Sequence, residues 1–187
     1  MLTNLSCSRV ILAVLLLLNT PPLLADGEAS VHISGDIAQA SDWTLAQLKE
    51  KFASEIKLIQ YSSHGQKHVS NCIPLLSVLK AAGVSTEAKM DPAVKPTTKN
   101  RPLHIAVWIQ GRDGYSVVLG LGELIPEFGN RPGWLALDAD GKPLPEAEGP
   151  VKLVLPDDVK PGRWVHGIAE IIIEDHAPAT TKPVGSP

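Results

Sequence analysis

The chain predicts a β-rich α+β domain, and three observations carry that prediction. Short apolar runs with period-two alternation recur along it, only two segments show sustained helical spacing, and the two kinds of segment do not alternate regularly. Strict strand–helix alternation would imply a doubly wound parallel sheet. Its absence implies a mixed sheet with two main helices.

Val31–Gly35 alternates apolar and polar residues and ends in glycine, as a short first strand does. Leu45, Leu48 and Phe52 recur at helical spacing, so a helix is expected over 43–52, with Ser41 or Asp42 as its cap. Ile56–Tyr61 returns to strand character. Ser62–Ser70 is polar, contains Gly65 and reads as a turn or hairpin.

Asn71-Cys72-Ile73-Pro74 is expected to open a second helix, since proline is tolerated in a first turn. Leu75, Leu76, Leu79 and Ala82 form its apolar face, and Gly83 is a stop signal. Residues 87–102 are rich in lysine, threonine and proline without apolar period, which predicts a long exposed loop.

Leu103–Ile109 and Tyr115–Leu119, joined by Gly111-Arg112-Asp113-Gly114, make the best hairpin candidate. Glu123–Phe128 is a short helical turn at most. Trp134–Leu137, Val151–Leu155 and Val165–Ile173 supply three further strands. The tail over 177–187 has nothing to bury and is expected to be disordered.

Charge and ends narrow the function classes. The formal net charge is −3, and no basic face marks a nucleic-acid binder. Arg9, the apolar run Val10–Leu18, Pro21-Pro22 and Ala25 read as a signal peptide over residues 1–25. That run falls short of the roughly 20 residues a membrane-spanning helix needs. The expectation is a periplasmic or secreted domain over 26–176, with no membrane span after cleavage. Cys72 is then the lone remaining thiol, either buried, reactive or paired with another molecule.

Five segments, in order, resemble the sulfite oxidase-type molybdopterin-binding domain. They are Trp43-Thr-Leu-Ala-Gln-Leu48, Ile73-Pro-Leu-Leu-Ser-Val-Leu-Lys-Ala-Ala-Gly83, Asp113-Gly-Tyr115, Gly149-Pro-Val-Lys-Leu-Val-Leu-Pro156 and Gly162-Arg-Trp-Val165. The resemblance covers Val31 to Glu174 and implies that fold, though a fold is not a function. In catalytic members a strand ends in the cysteine whose sulfur binds molybdenum, and the matching strand here ends in Tyr61.

A thiol costs about 2 kcal/mol to ionise at pH 7 and a phenol about 4. Phenolate is also a harder ligand than thiolate. Tyr61 is therefore expected to serve as a strand-end aromatic rather than a metal ligand. Cys72 could take the ligand role only if the following helix were displaced in the alignment. Of the positions that face the pterin phosphate in the family, Arg163 is retained. His166 replaces lysine, and Glu148 stands where histidine is common.

The resemblance thus implies a groove bordered by Tyr61, Ser63, His64, Arg112, Tyr115 and Arg163. Arg163 is expected to hold an anion, while His64 and Tyr115 offer hydrogen bonds and an aromatic face. No cofactor is expected, with molybdopterin the alternative. The partners implied are a small anionic ligand or a periplasmic protein. The reading is a non-catalytic binding module; the rival is a molybdopterin-dependent oxidoreductase subunit.

Other constellations in the sequence compete with this reading. His64, His68 and Cys72 recur every four residues and would share the face of a helix, but Gly65 and Pro74 argue against a continuous one. No metal site is assigned. His104 reads as a strand histidine. Glu123, Glu127, Asp157 and Asp158 flank prolines and read as solvated acids. Ser62-Ser63-His64 places hydroxyls beside an imidazole, but strand neighbours point to opposite faces.

Overall fold

The computed structural model describes residues 29–63, 65–86 and 100–177. The expected signal peptide, His64, most of the expected long loop and residues 178–187 of the expected tail lie outside the described residues. Among the described residues nine strands form two sheets. β1 (Ser30–Gly35), β2 (Ser41–Thr44), β5 (Ile105–Gly111), β6 (Ser116–Gly120) and β9 (Ile168–Asp175) make a five-stranded sheet in the order β2-β1-β9-β5-β6. β3 (Lys57–Ser63), β4 (Gln66–Pro74), β7 (Trp134–Ala136) and β8 (Lys152–Val154) make a four-stranded sheet in the order β3-β4-β7-β8. Among the described residues only β1 and β9 pair in parallel.

The helices are α1 (Leu45–Lys51), α2 (Leu75–Ala81) and the single turn α3 (Leu121–Leu124). The protein is therefore β-rich and α+β, with mixed and antiparallel sheets. One hydrophobic cluster draws on both sheets and all three helices. Ile33, Val107, Ile109, Ile171 and Ile173 line the inner face of the larger sheet at period two, and each is at most 1% exposed. Leu48 of α1 and Leu75, Val78 and Leu79 of α2 are equally buried. Each such side chain contributes roughly 1.5–3 kcal/mol through burial.

Three boundaries differ from the sequence reading for identifiable reasons. Ser41 and Asp42 do not cap α1, because they belong to β2 with Trp43 and pair with β1. The cap is Thr44, whose hydroxyl accepts from the Gln47 amide while the Gln47 side chain accepts from the Thr44 amide. This reciprocal box needs a hydroxyl residue and a glutamine three positions on, and the pair Thr44/Gln47 supplies it.

Asn71, Cys72 and Ile73 do not open α2. They continue β4, with Cys72 between Lys57 and Ala136 and Ile73 opposite Leu135. Helix α2 begins only after Pro74, where backbone φ is −59° and ψ is 125°. Finally, His104 lies in a 3-10 turn, Arg101–His104, not in a strand. The predicted stop at Gly83 is present, with φ +91°.

Gly35 ends β1 with φ +98°, a region costly for residues bearing a Cβ. A Cβ there would also collide with the Ile173 carbonyl of the neighbouring strand. Gly35→Ala is therefore expected to destabilise the domain by about 2 kcal/mol or more, read as a lowered urea midpoint with an unchanged slope.

Candidate functional site

Residues 161–167 carry the chain from β8 in the smaller sheet to β9 in the larger one. Two backbone bonds hold this crossing segment against the β8 region: Leu153 N to the Val165 carbonyl at 2.8 Å and Ile168 N to the Val151 carbonyl at 3.0 Å. Trp164, 6% exposed, projects from it into the core. Its indole N–H donates to the Leu155 carbonyl at 3.2 Å, so its buried polar atom is satisfied.

The Tyr61 ring meets Trp164 edge-on, with centroids 5.2 Å apart and planes at 85°. On another side it stacks on His68 at 5.6 Å and 29°, and the Lys152 ammonium sits 5.7 Å from its centroid. These are favourable aromatic and cation–π geometries. The Tyr61 hydroxyl lies 2.9 Å from the Ser70 hydroxyl, which is fully buried. Cross-strand pairing of Tyr61 with His68 sets this arrangement.

Asp138 and Asp140 fix the other edge of β4. The Asn71 amide donates to Asp138 Oδ1 at 3.0 Å, and the Val69 amide donates to Asp140 Oδ1 at 2.8 Å. Asp140 Oδ2 lies 3.0 Å from His68 Nδ1. Hydrogen bonds from His68 and Val69 hold the Asp140 carboxyl below the usual aspartate range. The aspartates at this polar turn thus continue the ladder with their side chains and orient the imidazole.

Below the ring, Lys152 binds Glu148 at 3.0 Å, and His166 lies 3.4 Å from the same carboxylate. Burial pushes the Glu148 carboxyl up, but Lys152 and His166 outweigh it, and the group titrates below the ordinary glutamate value.

The expected groove residues are distributed around the crossing segment. Arg112 is exposed in the β5–β6 turn, and its amide donates to the Gly167 carbonyl at 2.9 Å. Tyr115 is 47% exposed, and its hydroxyl donates to the Gly162 carbonyl. Arg163 lies in the segment itself. Tyr61 reaches it through Trp164. Ser63 is half-buried on the same strand face as Tyr61, nearer the hairpin turn. Gly111 lets the β5–β6 turn approach, because a Cβ there would sit 2.5 Å from the His166 carbonyl oxygen.

Arg163 differs most from expectation. Its Nε and Nη2 donate to Asp158 at 2.9 and 2.6 Å, and Nη1 donates to Glu123 at 3.1 Å. The hydrogen bonds it donates to Asp158 lead the effects that raise its pKa further. Glu123 and Asp158 are therefore paired, not solvated acids. An incoming anion would have to displace a bidentate carboxylate.

Cys72 is buried, and the helix N-terminus that would have activated it is absent at that position. Burial first, then Asp138, push the thiol up to about 12, with Lys152 acting in the opposite direction. Its Sγ–H donates to the Ser70 carbonyl at 3.4 Å. His68 and Cys72 lie four residues apart on β4, hence about 13 Å apart along the strand. Among the described residues no three His, Cys, Asp or Glu side chains converge in a metal-holding group.

Sequence reasoning weighed His68 only as a metal ligand and missed Ser70, Asp138, Asp140, Lys152 and Trp164 as site residues. The one available signal was the alternation of Asp138 and Asp140, a period-two pattern that fits a strand edge as well as a turn. A hollow of about 350 Å³ opens beside the hairpin, bordered by Gln60, Tyr61, Ser62, Lys67, His68 and Val69.

No protein-family model and no curated protein sequence matches the chain. Among solved structures, it is similar to a chain of the sulfane dehydrogenase SoxCD from Paracoccus pantotrophus. The TM-score is 0.51, the identity 17%, and the match covers 79% of this chain. It covers 38% of the SoxCD chain, well under half of that length. The likeness establishes a shared fold at a distance.

A depressed carboxylate stabilises the fold above its unfolded pKa, and that stabilisation is lost as pH falls through its folded pKa. Stability is therefore expected to hold above about pH 5 and to drop on further acidification. Glu148→Gln should flatten part of that acid limb, as measured by urea midpoints across pH.

Proposed function

We propose that this chain is an extracytoplasmic, non-catalytic binding module on a sulfite oxidase-type fold, taking a small anionic ligand or a protein partner beside its β3–β4 hairpin. The observation that carries the reading is the state of Tyr61. At the position aligned with the family's thiolate, the phenol is 6% exposed, bonded to buried Ser70 and enclosed by His68 and Trp164. Coordination would require it to lose that bond, lose a proton and leave its aromatic neighbours.

The remaining groups also fit a thiolate-held molybdopterin centre poorly. Cys72 is fully buried with its thiol pKa pushed up to about 12, which opposes the thiolate a metal needs. Arg163 is held by two carboxylates. Glu148 places negative charge where the family meets a phosphate.

What the site retains is recognition chemistry. Lys67 and His68 border the hollow, and the Asp140 contact at Nδ1 leaves His68 Nε2 as the other polar atom of the ring. Leu58 and Val69 are 69% and 37% exposed on the outward face of the same hairpin, which suits a protein partner.

Protein produced under cofactor-replete conditions is expected to fold normally and to carry molybdenum far below stoichiometry by elemental mass spectrometry. Near-stoichiometric metal would overturn the binding-module reading in favour of a molybdopterin-dependent oxidoreductase subunit.

A further inference from the structure

A hollow beside α1 opens at the free edge of the five-stranded sheet, whereas Tyr61 belongs to the four-stranded one. The hollow measures about 550 Å³ and is bordered by Ser41, Asp42 and Trp43 of β2 and by Gln47, Glu50 and Lys51 of α1. That volume falls within the roughly 300–1,000 Å³ of small-molecule sites. A second hollow of about 330 Å³ adjoins the same indole, between the Ala38–Ser41 turn and the Ala81–Gly83 end of α2.

Trp43 is preorganised. Its N–H donates to the Ser41 hydroxyl at 3.0 Å, and its ring packs on Phe52 at 6.0 Å and 46°. The indole N–H is thus spent inside the protein, and what remains for a ligand is apolar ring surface.

The polar groups around that ring choose the ligand class. Glu50 is an acceptor and Lys51 a donor; Asp42 has Oδ1 on His32 Nδ1 at 2.9 Å and offers Oδ2 as its free acceptor. Gln47 uses its oxygen on the Thr44 amide, which leaves its NH₂ to donate. Ser41 accepts from the indole and retains its own O–H. An organic cation would suit the ring and the two carboxylates but would meet Lys51. A single anion would meet Asp42 and Glu50. A neutral polyhydroxylated ring matches every group: each hydroxyl both donates and accepts, and the ring's C–H face lies flat on an aromatic surface.

We propose that the Trp43 hollow binds a neutral saccharide, with the sugar ring against the indole, its hydroxyls bonded to Asp42, Gln47, Glu50 and Lys51, and the adjoining small-residue hollow accepting a second ring. This site does not depend on the reading of the Tyr61 groove.

The full chain would be titrated by calorimetry with maltose, cellobiose and N,N′-diacetylchitobiose, neutral disaccharides of differing linkage. At least one is expected to bind with a dissociation constant of about 1 mM or tighter. Glu50→Ala and Lys51→Ala, both on the exposed side of α1, should each weaken it by about tenfold. Trp43→Ala should abolish it; if that variant unfolds, the two helix-surface variants decide.

The proposal fails if none of the three sugars binds up to about 10 mM, or if binding is indifferent to both helix-surface replacements. It fails equally if a sugar phosphate binds about a hundredfold tighter than its neutral parent.

Discussion

The crossing of the chain from the smaller sheet to the larger one depends on a buried indole. Trp164 enters the core with its N–H satisfied by the Leu155 carbonyl, and residues on either side of it then have little freedom. Gly162 receives the Tyr115 hydroxyl, Arg163 receives two carboxylates, His166 meets Glu148, and Gly167 joins backbone bonds from both the β5–β6 turn and the Glu148 end of its loop. A buried aromatic of this size dominates local energetics. Displacing it would expose its ring, orphan its N–H and release the anchor points of four other elements. The candidate groove is therefore a product of how the two sheets are joined rather than a separate feature set on them.

That joint also explains the electrostatics. Every cation close to the crossing segment has a carboxylate partner except Arg112 and Lys160, for which none is found among the described residues. Arg163 has Asp158 and Glu123, and Lys152 and His166 share Glu148. Partly buried pairs of this kind gain little net stability over water, but removing one partner leaves the other uncompensated. The arrangement resists anions at the segment itself, because an anion competes with carboxylates already in place. Lys67 and His68, on the hairpin, stand outside this closed set.

Much of the fold was legible because strand chemistry is local. Ile105–Gly111, Ser116–Gly120, Trp134–Ala136, Lys152–Val154 and Ile168–Asp175 all fall within or beside runs whose alternation and flanking glycines or prolines mark them. What misled was the overlap between signals. Asn71-Cys72-Ile73 precedes a clear helical face, and only pairing with β3 and β7 makes it a strand. Ser41 and Asp42 are good caps by residue type, and only the reciprocal Thr44/Gln47 contact identifies the actual cap. The site was less legible for the same reason. Tyr61, Arg112, Tyr115 and Arg163 do gather at one segment. His68 faces Tyr61 across the hairpin, but Asp140, Lys152 and Trp164 come from strands and turns far from Tyr61 in sequence, and no local pattern marks such convergence.

The two hollows differ in what a ligand must overcome. Beside Tyr61, the phenol, Ser70, His68, Asp140, Lys152 and Glu148 already satisfy one another, so a ligand must outcompete internal bonds or settle for the outer rim of the hairpin. Beside Trp43, the ring is fixed by Ser41 and Phe52, while Glu50 and Lys51 are exposed on α1, where water is what a ligand displaces. Preorganised apolar surface with solvated polar groups at its edge favours weak, shape-selective binding of a ligand that can replace many water contacts at once. A fold that packs an aromatic plug at the joint of its two sheets can thus still hold a second aromatic surface in place at a sheet edge, because the contacts holding Trp43 do not pass through Trp164.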